Sequence, residues 1–143
     1  MKIKIKRFDK TLPLPAKQTA GAAAFDLAAR EEVVIAPGTV GYVPLNIAVE
    51  TPPGHFLLVA ARSSTHKKGL MMGNGIGIID PDFSGDEDEV KAVCYNFTAA
   101  PVVVEKGFRI AQGIFIPAPS FEWDEIDELP NKNRGGFGTT GNK

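Results

Sequence analysis

Cysteine and long apolar runs are what this sequence most lacks. Its 143 residues include a single cysteine, Cys94, so an internal disulfide is excluded and a reducing, intracellular compartment is favoured. No stretch approaches the ~18 apolar residues that a membrane span requires, and the N-terminal sequence MKIKIKRFDK has no signal-peptide core. We therefore expect a cytoplasmic protein that binds no membrane.

A surplus of charge of either sign is missing too. Lysine and arginine number 16, aspartate and glutamate number 17, and the formal net charge is −1. Such a chain has no general attraction for nucleic acid, so any phosphate binding must depend on a few placed groups. We expect a small-molecule substrate and no nucleic-acid partner.

Long helical patterns are lacking, whereas 15 glycines and 11 prolines supply many turns. Apolar, β-branched runs bounded by proline, glycine or charge predict short strands at 2–7, 33–36, 40–49, 56–61, 76–79, 90–97, 102–104 and 110–116. Strands at this spacing predict an all-β barrel or sandwich in a single domain over 1–130. Residues 120–129 satisfy neither the helical nor the strand period, which predicts a strand or irregular chain.

The C-terminal stretch 131–143, NKNRGGFGTTGNK, is too polar and glycine-rich to fold alone, which predicts a flexible arm. Its GxGxxG pattern is not a dinucleotide fingerprint, because only two residues follow it and no helix can begin there. Free glycine amides, the hydroxyls of Thr139 and Thr140 and the nearby Arg134 suit a phosphate chain, and Phe137 suits a planar ring. A solubilising tail without a ligand remains the alternative.

The segment ARSSTHKKG (61–69) has the pattern of an anion site. Arg62 ends a predicted strand, and its guanidinium fork suits phosphate oxygens. A helix N-terminus is possible at Ser63 or Ser64, where backbone N–H groups point outward. The alternative is a helix cap followed by a solvated basic turn.

The stretch GNGIGIIDPDFSGD (73–86) places Asp80 at the end of an apolar run, directly before a proline. The run is interpreted as a hairpin arm whose glycines let a flat ligand approach the backbone closely. A carboxylate at a strand end beside a cleft can orient and deprotonate a water for in-line attack on phosphorus. The alternative is an aspartate that starts a proline-containing turn. The acidic run 86–89 is interpreted as a solvated loop.

Taken in order, these segments resemble the five motifs of the trimeric dUTP pyrophosphatases (dUTPases) over nearly the whole chain. The matching segments are 23–27 (AAFDL), Arg62-Ser63-Ser64, 74–85, 107–112 (GFRIAQ) and the C-terminal arm. The resemblance implies a jelly-roll subunit in a homotrimer with shared active sites. It also implies hydrolysis of dUTP to dUMP and pyrophosphate with Mg²⁺ on the triphosphate.

The resemblance further implies a role for individual residues. Asp80 would be the general base, and Asp26 would help to position the metal, through water, or Arg62. The phosphate binders would be Arg62, Ser63, Ser64 and Gln112, with Arg134, Gly138, Thr139 and Thr140 closing over the outer phosphates. Uracil would be read by the backbone around Gly77 and Ile79, assisted by Asn74 and covered by Phe137, while Phe83 would pack on deoxyribose and exclude a 2′-hydroxyl.

The chain departs from the family pattern at four places. Ala24 replaces a common glycine, Phe83 replaces the usual tyrosine, and about three extra residues follow Gly85. Lys132 lies roughly where the arm's arginine is expected, so either Lys132 or Arg134 could hold the γ-phosphate.

Two other functions fit parts of the same pattern. A dCTP deaminase, alone or combined with dUTPase activity, shares the Arg-Ser-Ser and Ile-Asp-Pro elements, but it needs a glutamate where this chain has Val93. A non-catalytic nucleotide-binding module needs neither the base Asp80 nor a phosphate-clamping arm.

Overall fold

The computed structural model describes residues 1–141 and is built almost entirely from β-strands. The strands are β1 (Lys4–Arg7), β2 (Phe25–Ala28), β3 (Val33–Ile35), β4 (Val40–Pro44), β5 (Ile47–Glu50), β6 (His55–Ala61), β7 (Leu70–Met72), β8 (Gly77–Ile79), β9 (Lys91–Asn96), β10 (Val102–Val104) and β11 (Arg109–Pro117). One 3₁₀ turn, Thr65–Lys68, lies between β6 and β7. The predicted all-β fold is confirmed.

The strands form four open sheets, and every pairing is antiparallel. The largest sheet has the order β2-β11-β6-β8, and a second has the order β4-β9-β7. Two strand pairs, β1-β5 and β10-β3, complete the fold. Neighbours in space are mostly distant in sequence, as in a jelly roll, where strands cross between two layers.

The core lies between these sheets, and alternate residues of β6 and β9 contribute to it. Leu57 and Val59 of β6 are fully buried, whereas Leu58 and Ala60, which alternate with them, are half-buried and face outward. The buried side chains include Leu27, Ile35, Val43, Leu45, Ile47, Leu70, Val90, Cys94, Val104 and Ile110. This alternation leaves the outer face of the four-stranded sheet free to carry other side chains.

Three differences from the predicted strands have identifiable causes. The run 40–49 is broken at Asn46, whose φ of 68° turns the chain sharply between β4 and β5. Asparagine tolerates this left-handed conformation better than most residues. Strands β2 and β7 were not predicted, because FDLA contains an aspartate and LMM lacks β-branched residues.

The predicted hairpin arm around 76–79 is also different in the structure. Strand β7 pairs with β9 and β8 pairs with β6, so residues 73–76 form a corner between two sheets. The turn is closed by the Gly75 N–H, which donates to the Met72 carbonyl at 3.1 Å, and Gly75 has a φ of 74°. A corner of this kind still exposes backbone groups to a ligand.

Residues 118–141 follow the last strand and contain neither helix nor strand. Residues 120–129 are therefore irregular in this chain, which is one of the two conformations predicted for them. The boundary between a domain at 1–130 and an arm at 131–143 stays a prediction. No helix within residues 1–141 has the length and apolar character needed to cross a membrane.

Candidate active site

A cavity of about 550 Å³ lies on the outer face of the four-stranded sheet. Strand register explains its floor: Gln112 of β11 pairs with Asp26 of β2 on one side and with Ala60 of β6 on the other. These three side chains therefore form one row across three strands. Arg62, two residues beyond Ala60, lies at the rim and lines the cavity together with Ser63.

Asp26 holds two arginines at the cavity wall. Its Oδ1 accepts a hydrogen bond from Arg62 Nε at 2.9 Å, and its Oδ2 accepts one from Arg109 Nη1 at 2.9 Å. The Asp26 side chain is 11% exposed, whereas those of Arg62 and Arg109 are 24% and 46% exposed. Both guanidinium groups thus keep donors free to receive an anion.

The backbone of Arg62 is fixed by the turn that follows it. Its N–H donates to Thr65 Oγ1 at 2.9 Å, and the Thr65 hydroxyl donates to the Ile110 carbonyl at 2.9 Å. Thr65 is buried, so these bonds lie out of water. The Ser64 hydroxyl lies 3.5 Å from Arg62 Nη1, and Ser64 is the residue before the 3₁₀ turn but makes no capping bond. The predicted helix start is therefore only a single 3₁₀ turn.

Gln112 is oriented by the neighbouring strand. Its Nε2 donates to the Ala61 carbonyl at 2.9 Å, so its amide oxygen remains available to a ligand in the cavity. Ser63 is exposed beside it. The structure therefore brings Arg62, Ser63, Gln112 and Asp26 together at one cavity, as residues with a common ligand should be.

Asp80 lies elsewhere on the same sheet face. Ile78 pairs with Leu58, so Asp80, two residues on, lies on the same outer face level with Phe56. It lines a separate cavity of about 400 Å³ with His55 and Phe56. Within residues 1–141 its carboxylate makes no ion pair. Asp80 also starts a turn, because its carbonyl accepts a bond from the Phe83 N–H at 3.1 Å.

The distance between Asp80 and Arg62 limits the chemistry that a single chain can perform. Arg62, the residue after β6, lies six residues from Phe56, which is level with Asp80, and six residues of extended chain span roughly 20 Å at about 3.3 Å per residue. A general base must lie within about 3 Å of the water that it activates, and that water within about 3.5 Å of the phosphorus. Asp80 and Arg62 of one chain therefore cannot act on the same phosphoryl group.

The remaining predicted residues of the 74–85 segment lie along β8 and in the turns at its two ends, and none of them lines the Asp80 cavity. Asn74 is exposed in the corner, and its Nδ2 lies 3.9 Å from the point where a Cβ on Gly77 would project. That same Cβ would approach the Val59 side chain to 3.3 Å, so glycine permits the close contact of β8 with β6. Ile79 is half-buried in β8. Phe83 is 40% exposed, so its ring is accessible.

The predicted arm residues are far from both cavities in sequence and are held only by local bonds. The Gly136 N–H donates to Thr139 Oγ1 at 2.7 Å, and the Thr139 N–H donates to the Gly136 carbonyl at 3.2 Å. The Phe137 side chain is fully exposed. Arg134, Gly138 and Thr140 are exposed as well, and none of them lines either cavity.

The acidic run 86–89 is only partly the solvated loop that was expected. Asp86 is exposed and pairs with Lys6 at 2.9 Å. Glu89, however, is buried, and its Oε1 accepts hydrogen bonds from Arg30 Nε at 2.8 Å and from the Asn46 backbone N–H at 2.9 Å. This pairing raises the pKa of the Arg30 guanidinium. Glu89 therefore anchors the end of the insertion to the corner between β4 and β5.

Two residues of this site were not singled out from the sequence. Thr65 follows two serines and had no feature to separate it from a helix cap. Arg109 lies within the GFRIAQ segment, but only its pairing register with β2 reveals that it reaches Asp26. A cationic side chain at the start of a strand, opposite a strand that carries an aspartate, is the signal that could have found it.

Comparison with solved structures defines the class first: a protein with the jelly-roll fold of the dUTPases. The fold matches the G164S mutant of a dUTPase of Staphylococcus bacteriophage 80alpha with dUpNHpp at a TM-score of 0.86, over 98% of each chain and with 21% identity. It also matches the dUTPase from Streptococcus mutans at a TM-score of 0.76, with 31% identity over 83% of this chain and 98% of that chain.

The chain belongs to the dUTPase family. The dUTPase family model matches residues 10–141. The deoxyuridine 5′-triphosphate nucleotidohydrolase of Shewanella oneidensis is 36% identical, and the match covers 100% of this chain and 96% of that relative. The resemblance based on the ordered motifs is confirmed.

Proposed function

We propose that this chain hydrolyses dUTP to dUMP and pyrophosphate in a homotrimer. Family membership supports this reaction. The observation that supports the assembly is the division of the site: the Arg62 cavity and the strand-end carboxylate of Asp80 share one sheet face but lie too far apart to act on one phosphoryl group. Copies arranged about a symmetry axis bring the Asp80 end of one to the Arg62 end of the next.

In this proposal the cavity at Arg62 binds the phosphates. Arg62, Ser63, Ser64 and Gln112 neutralise and orient the triphosphate, while Asp26 keeps the arginine in place. Hydrolysis of such a chain needs charge neutralisation and a positioned water more than it needs covalent chemistry. Asp80 of a neighbouring copy accepts a proton from the water as this water attacks the innermost phosphorus of dUTP. The bond between that phosphorus and the bridging oxygen of the two outer phosphates breaks, and these phosphates leave as pyrophosphate.

The nucleoside is bound along β8 and the turns that flank it. The corner at 73–76 and strand β8 offer backbone donors and acceptors near Asn74, Gly77 and Ile79 to a uracil edge. Such close packing rejects a 5-methyl by size and cytosine by hydrogen-bond mismatch. Phe83 packs on the deoxyribose. The arm then closes the site, with Phe137 over the base and Arg134, Gly138, Thr139 and Thr140 on the outer phosphates.

Magnesium fits this site as a partner of the substrate. Among residues 1–141 no group of three or more His, Cys, Asp or Glu side chains could form a metal cage. Mg²⁺ keeps several waters and binds largely to substrate phosphates, so a cage is not required. Asp26 is the carboxylate placed to contact such an ion through water, although each of its oxygens already accepts an arginine bond. Bound on the triphosphate, Mg²⁺ supplies charge neutralisation.

A deaminase is less well supported than a hydrolase. Strand β9, with the sequence KAVCYN, carries no carboxylate, and Val93 stands where the deaminase needs glutamate. A binding module is disfavoured by Asp80, which a binder does not need. We place the reaction in the cytoplasm, where a lone reduced cysteine is stable.

The decisive experiment compares pyrophosphate release from dUTP by the wild type and Asp80→Asn. We expect a loss of at least about 100-fold in kcat, because a general base contributes about that much or more. Asp82→Asn, also exposed and two residues away, is the matched control and should keep its turnover. Undiminished release by Asp80→Asn would overturn the proposed base, and ammonia release from dCTP would indicate the deaminase.

A further inference from the structure

The residues inserted after Gly85 are folded into a turn of their own. The Asp88 N–H donates to the Gly85 carbonyl at 3.1 Å, and the Gly85 N–H donates to Asp88 Oδ2 at 2.7 Å. A Cβ on residue 85 would lie 2.8 Å from that same carboxylate oxygen, so a larger residue would disturb the bond. The extra residues therefore form an ordered turn with two hydrogen bonds across it.

Lys6 of β1 ties this turn to the sheet. Its ammonium donates to the Asp86 carbonyl at 2.7 Å and pairs with Asp86 Oδ2 at 2.9 Å. The Asp86 side chain is 83% exposed, so the ion pair alone contributes little. The bond to the carbonyl, however, acts directly on the main chain of the insertion. The Phe8 ring, with its centroid 4.7 Å from Lys6 Nζ, helps to orient the ammonium.

The other end of the insertion is fixed by Glu89. This buried carboxylate accepts hydrogen bonds from the Arg30 side chain and the Asn46 N–H. The turn therefore has a buried anchor at one end and a charge-assisted bond to β1 in its middle. A chain segment held at both points moves with the sheet.

Phe83 comes directly before this turn. Its N–H donates to the Asp80 carbonyl at 3.1 Å, so residues 80–83 form a first turn and residues 85–88 a second, with only Ser84 between them. The Phe83 side chain is 40% exposed, so packing against the chain holds the ring only in part. The position of the ring therefore depends on where the second turn is held.

We propose that Lys6 is a positioning residue that acts through the insertion to keep the Phe83 ring where it excludes a 2′-hydroxyl. This inference rests on the proposed function, in which Phe83 packs on the deoxyribose of dUTP. UTP differs from dUTP only by that hydroxyl, so a small displacement of the ring is enough to admit it. Lys6 touches no substrate in this scheme and affects the selectivity for the sugar, not the chemical step.

Selectivity is measured as the ratio of kcat/KM for dUTP to kcat/KM for UTP. Lys6→Met keeps the length of the side chain but removes its charge and its donor. We expect the ratio to fall about 5-fold, the equivalent of one ordinary hydrogen bond, while kcat for dUTP stays unchanged. Lys6→Arg can still donate to the Asp86 carbonyl and should keep the wild-type ratio. An unchanged ratio in Lys6→Met would overturn the proposal.

Lys4→Met is the matched control, because Lys4 lies two residues away on the same strand and pairs with the exposed Glu50. Its ratio should equal that of the wild type. An equal fall in Lys4→Met would assign the effect to the charge of β1 and would also overturn the proposal.

Hydrogen exchange separates this inference from the proposed reaction, because it needs no nucleotide. We expect the amides of residues 82–89 to exchange several-fold faster in Lys6→Met than in the wild type, and to be unchanged in Lys4→Met. Faster exchange with an unchanged selectivity ratio would show that Lys6 holds the turn but not Phe83, and would overturn the proposal. Failure of the wild type to release pyrophosphate from dUTP would instead refute the proposed reaction.

Discussion

Glu89 is the residue whose burial has the clearest consequence for stability. Its carboxylate joins the Arg30 side chain to the Asn46 N–H at the left-handed corner between β4 and β5. Substitution by alanine leaves both donors without this partner, and buried unsatisfied groups cost about 1–3 kcal/mol. We expect Glu89→Ala to lower the free energy of unfolding in urea by about that amount.

Glu87→Ala is the matched control, since Glu87 is exposed two residues earlier in the same run. Its unfolding midpoint should stay within experimental error of the wild type. Equal stabilities for the two variants would show that the Glu89 contacts add nothing to the folded state.

Cys94 gives a second prediction at this scale. The side chain is fully buried in β9, and burial raises the pKa of its thiol to about 11. A group whose pKa is raised this way stays protonated at neutral pH, and the thiolate is the reactive form. We expect no reaction of native protein with a thiol reagent at pH 7–8 over minutes, and one thiol per chain in urea. Rapid labelling of the native protein would contradict the buried position.

Among the elements, the arm is the one that we propose contributes to function and not to the fold. Its described hydrogen bonds are local, and its aromatic ring is in water. Deleting Arg134–Lys143 should therefore leave the unfolding transition unchanged while abolishing dUTP turnover, measured by denaturation and by pyrophosphate release. Phe137→Ala should raise KM for dUTP about 10-fold if stacking contributes about 1–1.5 kcal/mol.

Two results would contradict the predictions for the arm. A truncated chain that no longer folds would show that the arm belongs to the core. Wild-type kinetics for Phe137→Ala would show that the ring does not cover the nucleotide.

The sequence predicted elements well where apolar runs were bounded by proline, glycine or charge, and failed where one residue redirects the chain. Strand β6 was predicted because 56–61 is a continuous apolar run with such boundaries. The break at Asn46 was missed because its conformation depends on tertiary bonds: its side chain accepts from the Asp9 N–H at 2.6 Å and donates to the Asp9 carbonyl at 3.0 Å. Likewise, the link between Asp26 and Arg109 depends on strand register, which no local pattern contains.

At the scale of the whole molecule, the four-stranded sheet is the basis of our proposal that the reaction needs more than one chain. The outer face of this sheet carries Arg62 at one end and Asp80 at the other. Because the strands between them are already formed, the distance between these two groups is fixed within one chain. Self-association about a symmetry axis would bring the two groups together, because one interface repeated around a closed ring completes every site at once. In the proposed assembly the arm is then a contact between copies.

This division predicts that two inactive variants repair each other. Arg62→Ala loses the phosphate site and Asp80→Asn loses the base, yet each keeps the half that the other lacks. When the two are unfolded, mixed in equal amounts and refolded, a site with both groups intact forms with a probability of about one quarter. We therefore expect mixed protein to recover about a quarter of wild-type turnover, while each variant refolded alone stays inactive. As a control, the two folded variants are mixed without unfolding. Turnover should then recover only at the rate at which subunits exchange between trimers. Persistent inactivity of co-refolded protein whose mixed trimers are seen by native mass spectrometry would place both groups in the same chain's site.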